Sequence, residues 1–396
     1  MGLSQADQIR LPLHRQTARR FKLMKRIVTL SLILAATLSL KSAQADEMAA
    51  SNSAVAGASD TKHMGTAESA SECNDMNAGE MVMMSSCLMP FGIMTGEAGK
   101  WMVGYQFTHE KMDGSLVGTD DISVSQILKQ FPNAPTDMTM DMHMWMVMYA
   151  PTERLTLSAM IPYIRKEMNN VSVDGSRFVM RANGIGDLEL RSAYLIFQTA
   201  DKRHQLLLNG GIGVPTGSID EEMDGFRVDY CMQPGSGTVS LQPGLTYLGQ
   251  TTSWSWGADF KATVRLGRND HNYRFGNRYE SRAWIMRQLT SWLTISTGLN
   301  SAVWENIEGA DPDLDLMMEQ TTDPNLQGGK RLDAAFGLTF CPGMACCHGG
   351  QCCSAGQKFL DGQQLFVEGR LPIIQSLDGP ELENSWTINI AWQWMF

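Results

Sequence analysis

The feature that most restricts the fold of this chain is a recurring alternation of apolar and polar residues with a period of two. Trp254, Trp256, Ala258, Phe260, Ala262, Val264 and Leu266 are interleaved with Ser255, Gly257, Asp259, Lys261, Thr263 and Arg265. Successive side chains of an extended strand point to opposite faces, so this run is a strand with one greasy and one charged face. Leu188, Leu190, Tyr194 and Ile196 alternate in the same way with Asp187, Glu189 and Arg191. So do Leu332, Ala334, Phe336, Leu338 and Phe340 with Arg331, Asp333 and Thr339. From residue 100 onward twelve such segments can be marked: 100–108, 138–149, 154–163, 184–198, 203–214, 236–249, 252–266, 278–289, 292–304, 331–341, 363–372 and 385–396. Segments of about ten alternating residues are the signature of a transmembrane antiparallel up-and-down β-barrel, with lipid outside and a polar lumen inside.

The connections point the same way. Those after strands 2, 4, 6 and 8 (150–153, 199–202, 250–251, 290–291) are tight, and those after strands 1, 3, 5, 7 and 9 are long. Short periplasmic turns and long outer loops produce that alternation in an even-numbered barrel. The final strand carries Trp386, Ile388, Ile390, Trp392, Trp394 and the terminal Phe396 on one face. A terminal aromatic of this kind is similar to the signal by which the barrel-assembly machinery recognises its clients. Trp101, Tyr149, Tyr163, Tyr247, Trp254, Trp292 and Trp304 fall near strand ends, where an interfacial aromatic girdle is expected.

An export signal fits this compartment. Met24, Lys25 and Arg26 precede an apolar run from Ile27 to Leu40, and Ala43-Gln44-Ala45 is a small-x-small cleavage site, so residues 1–45 read as a signal peptide. Residues 1–23 are either an extended basic leader or upstream of the true start. Past the signal no apolar run reaches the roughly 20 residues of a spanning helix. Residues 46–99 contain few large apolar residues but many sulfurs, among them Met64, Cys73, Met81, Met83, Met84, Cys87 and Met94. They read as a flexible periplasmic arm, leaving 100–396 as the barrel in the outer membrane of a Gram-negative bacterium, with membrane lipid as its surroundings. A net charge of −10 excludes nucleic acid as a partner, because phosphate binding needs clustered Lys and Arg.

Strand 2 has six methionines at every second position from Met138 to Met148. Methionine has no strong strand propensity and no rigid shape, so the regularity asks for a reason beyond folding. Trp145, Val147 and Tyr149 suit lipid, which turns Met140, Met142, Met144, Met146 and Met148 toward the lumen and puts Asp141 and His143 near the outer rim. A two-residue turn at Pro151-Thr152 would reverse this by pairing Met148 with Leu155; an odd-length loop restores it. Thioethers suit Cu(I) or Ag(I), and they also make a pliable surface for an apolar solute. Asp141 and His143 are further candidate metal ligands. So are Cys346, Cys347, His348, Cys352 and Cys353 in the connection after strand 10, which in an oxidising compartment equally reads as a disulfide-stapled loop. Metal handling would imply periplasmic metal-handling partners; no other cofactor is indicated.

The expected lumen charges are mixed: Asp187, Glu189, Arg191, Asp259, Lys261, Arg265, Glu280, Arg282, Arg331, Asp333, Glu368 and Arg370. Such balance predicts internal ion-pair networks and a narrow or plugged lumen. The outer loops are acidic at Asp220, Glu221, Glu222 and Asp224, and again from Glu305 to Glu319, and read as solvated. No GxSxG elbow and no defensible Ser, His and carboxylate spacing is present, so catalysis is not expected.

TMDMH at 139–143, YAPTERL at 149–155, GIGDL at 184–188, PTGS at 215–218, PGLTY at 243–247, GNRY at 276–279 and DGPEL at 378–382 together resemble a family of outer-membrane barrels. These are the transporters grouped with the phenol meta-pathway proteins and distantly similar to hydrophobic-compound channels. The resemblance spans about 89–396 and implies passive transport with the cargo open, either soft metal ions or small hydrophobic compounds. The alternative is a metal-sequestering barrel that transports nothing. The Cys cluster lies outside the family pattern.

Overall fold

In the computed structural model the described residues are Gly92, 98–342 and 362–396, with 347–348 and 351–352 described by backbone alone. The signal peptide, nearly all of the 46–99 arm, Cys346 and Cys353 lie outside them. No helix among the described residues is long and apolar enough to cross a membrane, which says nothing of strands.

The chain forms a closed antiparallel barrel. Its strands are β1 (Trp101–Gly118), β2 (Asn133–Thr152), β3 (Leu155–Ser172), β4 (Arg177–Ile185 and Leu188–Gln198), β5 (His204–Val214) and β6 (Val239–Leu241 and Gly244–Gln250). They continue with β7 (Trp254–Leu266), β8 (Arg278–Thr290), β9 (Leu293–Trp304), β10 (Gly329–Phe340) and the extended segment Gln363–Met395. That last segment folds back on itself. Residues 365–377 pair with β10, and residues from 381 onward pair with β1, from Leu116↔Glu381 to Met102↔Met395. Asn389 Nδ2 donates to Glu368 Oε1 at 3.3 Å and Gln393 Nε2 to Gln364 Oε1 at 2.7 Å, so two limbs lie side by side about a reversal at 378–380. Taken as one element the segment gives eleven staves; its limbs, β11 and β12, give twelve passes. Neighbours in sequence pair throughout, and β12 closes on β1.

Several strands run further than the alternation marks. β1 extends to Gly118, β2 begins at Asn133, and β3 continues to Ser172, so only residues 173–176 connect it to β4. The long connection expected after strand 3 is therefore strand, not loop. Above the lipid the outward face no longer has to be apolar, and pairing continues while the hydrophobic pattern ends. Outward residues there are charged: Arg181 Nε donates to Glu167 at 3.0 Å and Lys111 pairs with Asp137 at 2.5 Å. One girdle assignment also changes. Trp304 faces the lumen, its Nε1 donating to the Gln327 carbonyl at 2.9 Å.

The turn between β2 and β3 decides where the methionines point. Thr152 pairs with Leu155 across the two residues Glu153 and Arg154, but a bulge between Tyr149 and Thr152 moves the register so that Met148 faces Ser158. The Thr152 hydroxyl accepts from Leu155 N at 3.0 Å and fixes the turn. A bulge adds one residue to one strand and exchanges its faces. Met146 and Met148 are each 5% exposed, whereas Trp145 and Val147 are 49% and 44% exposed on the lipid side.

Candidate functional site: an amphipathic lumen under a knitted cap

Inner-face methionines gather from several strands. At the periplasmic end Met102, Met146, Met148 and Met160 form a buried cluster against which Met144 and Met395 pack. Gly92, ahead of β1, lies on this wall: its N–H donates to Gln393 Oε1 at 3.1 Å, and a Cβ there would meet Met146 Sδ at 3.9 Å. Nearer the outer end Met138, Met168, Met180 and Met232 are buried together, with Met112, Met223 and Cys231 against them. Sequence reading found the β2 column. It missed the partners on β1, β3 and β4, which come together only through register.

The rest of the inner face is charged and internally paired. Arg191 bonds Glu189 at 2.5 Å, Lys261 bonds Glu280 at 2.8 Å, and Arg282 bonds Asp259 at 2.9 Å. Arg331 spans Glu110 at 2.9 Å and Asp333 at 3.1 Å, and Arg370 bonds Glu368 at 2.6 Å. Two of the expected lumen residues turn to bracing instead. Asp187 accepts from Gly217 N, Ser236 N and Ser236 Oγ, and Arg265 donates to the Gly276 carbonyl at 2.6 Å. Because opposite charges are matched side by side, the wall presents little net field to a passing solute.

A small recess of about 20 Å³, room for about one water molecule, opens in this wall among Arg282, Trp284, Ser296, Gly298, Asn300 and Glu368. The Trp284 indole lies flat because its neighbour is Gly257, where a Cβ would fall 2.9 Å from Trp284 Cε2. The Arg282 guanidinium sits 4.7 Å from the indole centroid. Trp284 Nε1 and Asn300 Nδ2 are buried donors with no partner, each costing about 1–3 kcal/mol unless a guest accepts from it. No sequence pattern marks this recess, since its residues come from β8, β9, β10 and β11.

Three outer loops, 215–238, 267–277 and 305–328, are knitted into a cap. Tyr230 and Tyr273 meet edge to face at 4.7 Å, and the Tyr230 hydroxyl accepts from Asp311 N at 2.9 Å. Arg227 reaches Asp220 at 3.1 Å, Asp311 at 3.3 Å and Asp313 at 3.2 Å, while His271 bonds Asp220 at 2.6 Å. The acidic loops are thus not simply solvated: Asp311 and Glu319 are each only 2% exposed. Glu319, Asp229 and Thr321 form a buried trio between two of the loops, with the Thr321 hydroxyl in hydrogen-bond reach of both carboxyls and its one proton shared between them. Burial first, and then the neighbouring carboxyl, pushes Glu319 up to about 9; burial likewise raises Asp229. From the barrel wall Lys166 Nζ donates to the carbonyls of Cys231 at 2.7 Å and Gln233 at 2.8 Å, pinning the first loop.

Of the expected metal ligands, Asp141 and His143 are engaged with other side chains, while Cys347 and Cys352 pair across a short hairpin. Asp141 accepts from His109 at 2.6 Å and His143 bonds the Tyr105 hydroxyl at 2.7 Å, both on the outward face. Cys347, His348 and Cys352 lie on a short hairpin described by backbone alone, and Cys341 beside it is disulfide-bonded. His271, Asp311 and Asp313 are the one grouping among the described residues with ligand atoms within 4.8 Å of one another, but the Arg227 guanidinium fills the place of a cation there.

Comparison with known proteins is consistent with this architecture. Residues 133–298 match the family described as "Putative MetA-pathway of phenol degradation". Among curated proteins none matches the chain. Of solved structures, the COG4313 outer membrane channel from Pseudomonas putida F1 is similar at 12% identity with a TM-score of 0.53, covering 78% of this chain and 99% of that one. The KdgM porin is 9% identical with a TM-score of 0.35, covering 74% and 99% of the two chains. The fold is that of an outer-membrane channel barrel. Over residues 133–298 the chain carries the pattern of the phenol-degradation MetA-pathway family, on the fold of an outer-membrane channel.

Proposed function

We propose that the barrel is a passive channel for small amphipathic molecules with an apolar body and a hydrogen-bond-accepting oxygen. The observation that carries this reading is the recess at Trp284, where two unpartnered buried donors, Trp284 Nε1 and Asn300 Nδ2, stand together on the inner face. A passing oxygen would accept from Trp284 Nε1 or Asn300 Nδ2 in place of the water for which the recess has room. The methionine wall supports the same reading, since thioether chains adapt to irregular apolar shapes at little cost. The matched charges on the rest of the inner face disfavour ions, which would have to break those pairs or cross without compensation.

Swelling of liposomes containing the purified barrel tests the proposal. Small aromatic alcohols should enter faster than sugars of equal size, and Trp284→Ala should remove most of that preference. Equal rates for both solute classes would overturn it. A second reading, passage of Cu(I) or Ag(I), is favoured by the β2 methionine column; silver flux into the same liposomes tests it separately. Assembly through Phe396 belongs to the same proposal, and deletion of that residue should lower the yield of folded barrel.

A further inference from the structure

One row of the inner wall is made of methionine across four adjacent strands. Met112 on β1 faces Met138 on β2, Met138 faces Met168 on β3, and Met168 faces Met180 on β4. Adjacent strands lie about 4.8 Å apart, so Met138 and Met180 flank Met168 at equal distances and all three thioethers leave the same face. Met168 is 1% exposed and Met232, which closes over the row from the outer loop, is 0% exposed. Cys231 on the same turn is a free cysteine packed against the cluster. Lys166 holds that turn in place by donating to two backbone carbonyls, those of Cys231 and Gln233.

Packing alone does not ask for this composition. Strand positions favour β-branched and aromatic residues, and leucine fills comparable volume with fewer rotamers. A second observation separates the row from ordinary core. Asn170, two residues along β3 on the same face, is 2% exposed, and neither its Oδ1 nor its Nδ2 has a partner. A buried carboxamide left unpaired marks a place where folding has not satisfied the site by itself.

We propose that Met138, Met168 and Met180, with Met232 and Cys231 closing over them, form a binding site for a soft monovalent ion, Cu(I) or Ag(I). Thioether and thiol sulfurs select such ions over Zn(II), Ca(II) or Mg(II), which prefer imidazole or oxygen ligands. Neutral thioethers add no charge of their own, so a single positive charge can be balanced by one thiolate. The site lies on the same methionine wall that the proposed channel uses, but binding there requires no flux.

The test uses the full-length barrel in lipid nanodiscs with its methionines carrying ¹³C-labelled ε-methyl groups. Met138→Leu, Met168→Leu and Met180→Leu, made singly, assign three resonances. The triple variant keeps the volume and removes the sulfur. On titration with Ag(I), these three methyl signals should shift together within one equivalent, and native mass spectrometry should show the triple variant holding one silver ion fewer than the parent. Cys231→Ser should weaken binding at least tenfold while the three signals still shift. Failure of the three methyl signals to move, while silver is taken up by other methionines or cysteines, would overturn the proposal. Equal silver stoichiometry in parent and triple variant, with heat-modifiable mobility unchanged, would do so as well.

Discussion

The buried trio of Asp229, Glu319 and Thr321 predicts that the cap loosens as pH rises. Two carboxyls held out of water beside each other share a proton, because ionising both would place like charges in contact. In the closed cap Glu319 keeps its proton up to about 9, against an ordinary value of 4.5 once the loops swing into solvent. The folded value is the raised one, so closure takes up a proton. Its stabilisation is complete below about 4.5 and is lost as pH climbs through about 9. Within that window one proton is linked to closure, and the closed form loses about 1.4 kcal/mol per pH unit. From pH 6 to pH 8 the loss is about 2.7 kcal/mol, or about a hundredfold in the ratio of closed to open. Open probability of single barrels in planar bilayers should rise steeply over that interval. Glu319→Gln keeps a donor and removes the titration, and should flatten the rise. A flat response in the parent, or an unchanged slope in the variant, would refute the reasoning.

Other expectations follow from the wall itself. Cysteine placed at Val147 should react with a lipid-phase maleimide and cysteine at Met146 should not; the reverse pattern would mean the β2 bulge is misplaced. Val147→Arg should destabilise the barrel by about 2–4 kcal/mol in urea unfolding from vesicles, since it sets a charge against hydrocarbon. Glu110→Ala should cost about 3–5 kcal/mol by the same measurement, because it strips a partner from the largely buried Arg331, and a loss below about 1 kcal/mol would contradict the pairing. Lys166→Met leaves the carbonyls of Cys231 and Gln233 without their donor and should raise basal conductance; unchanged conductance would show that the lysine does not hold the cap.

Much of the barrel is legible in the chain because lipid enforces one rule. Wherever a strand crosses hydrocarbon, every second residue must be apolar, and Trp254–Leu266 or Trp386–Phe396 announces itself. The rule lapses beyond the lipid, which is why the outer halves of β1, β3 and β4 read as loop. The orientation of the methionines turned on a single bulged residue near Ala150, a matter of backbone geometry that residue types alone leave open. The site is harder still. The Met112–Met138–Met168–Met180 row joins residues up to 68 positions apart, and the Trp284 recess joins β8 to β11, so neither has a local pattern to read. The acidic loops look solvated in sequence because the basic and aromatic residues that bury them, Arg227, Tyr230 and Tyr273, come from other loops or other parts of the same loop.

The pairing of β12 with β1 has a consequence in time as well as space. Trp101 N donates to the Phe396 carbonyl and Phe396 N to the Trp101 carbonyl, each at 2.9 Å, so the seam joins the first strand of the barrel to its last. Until β12 pairs with it, β1 remains an open edge, with a column of unpaired backbone groups ready to join any other strand. The barrel can have no half-closed resting form on the way. Insertion must carry the whole sheet to the point of closure before the earliest strand finds its second neighbour.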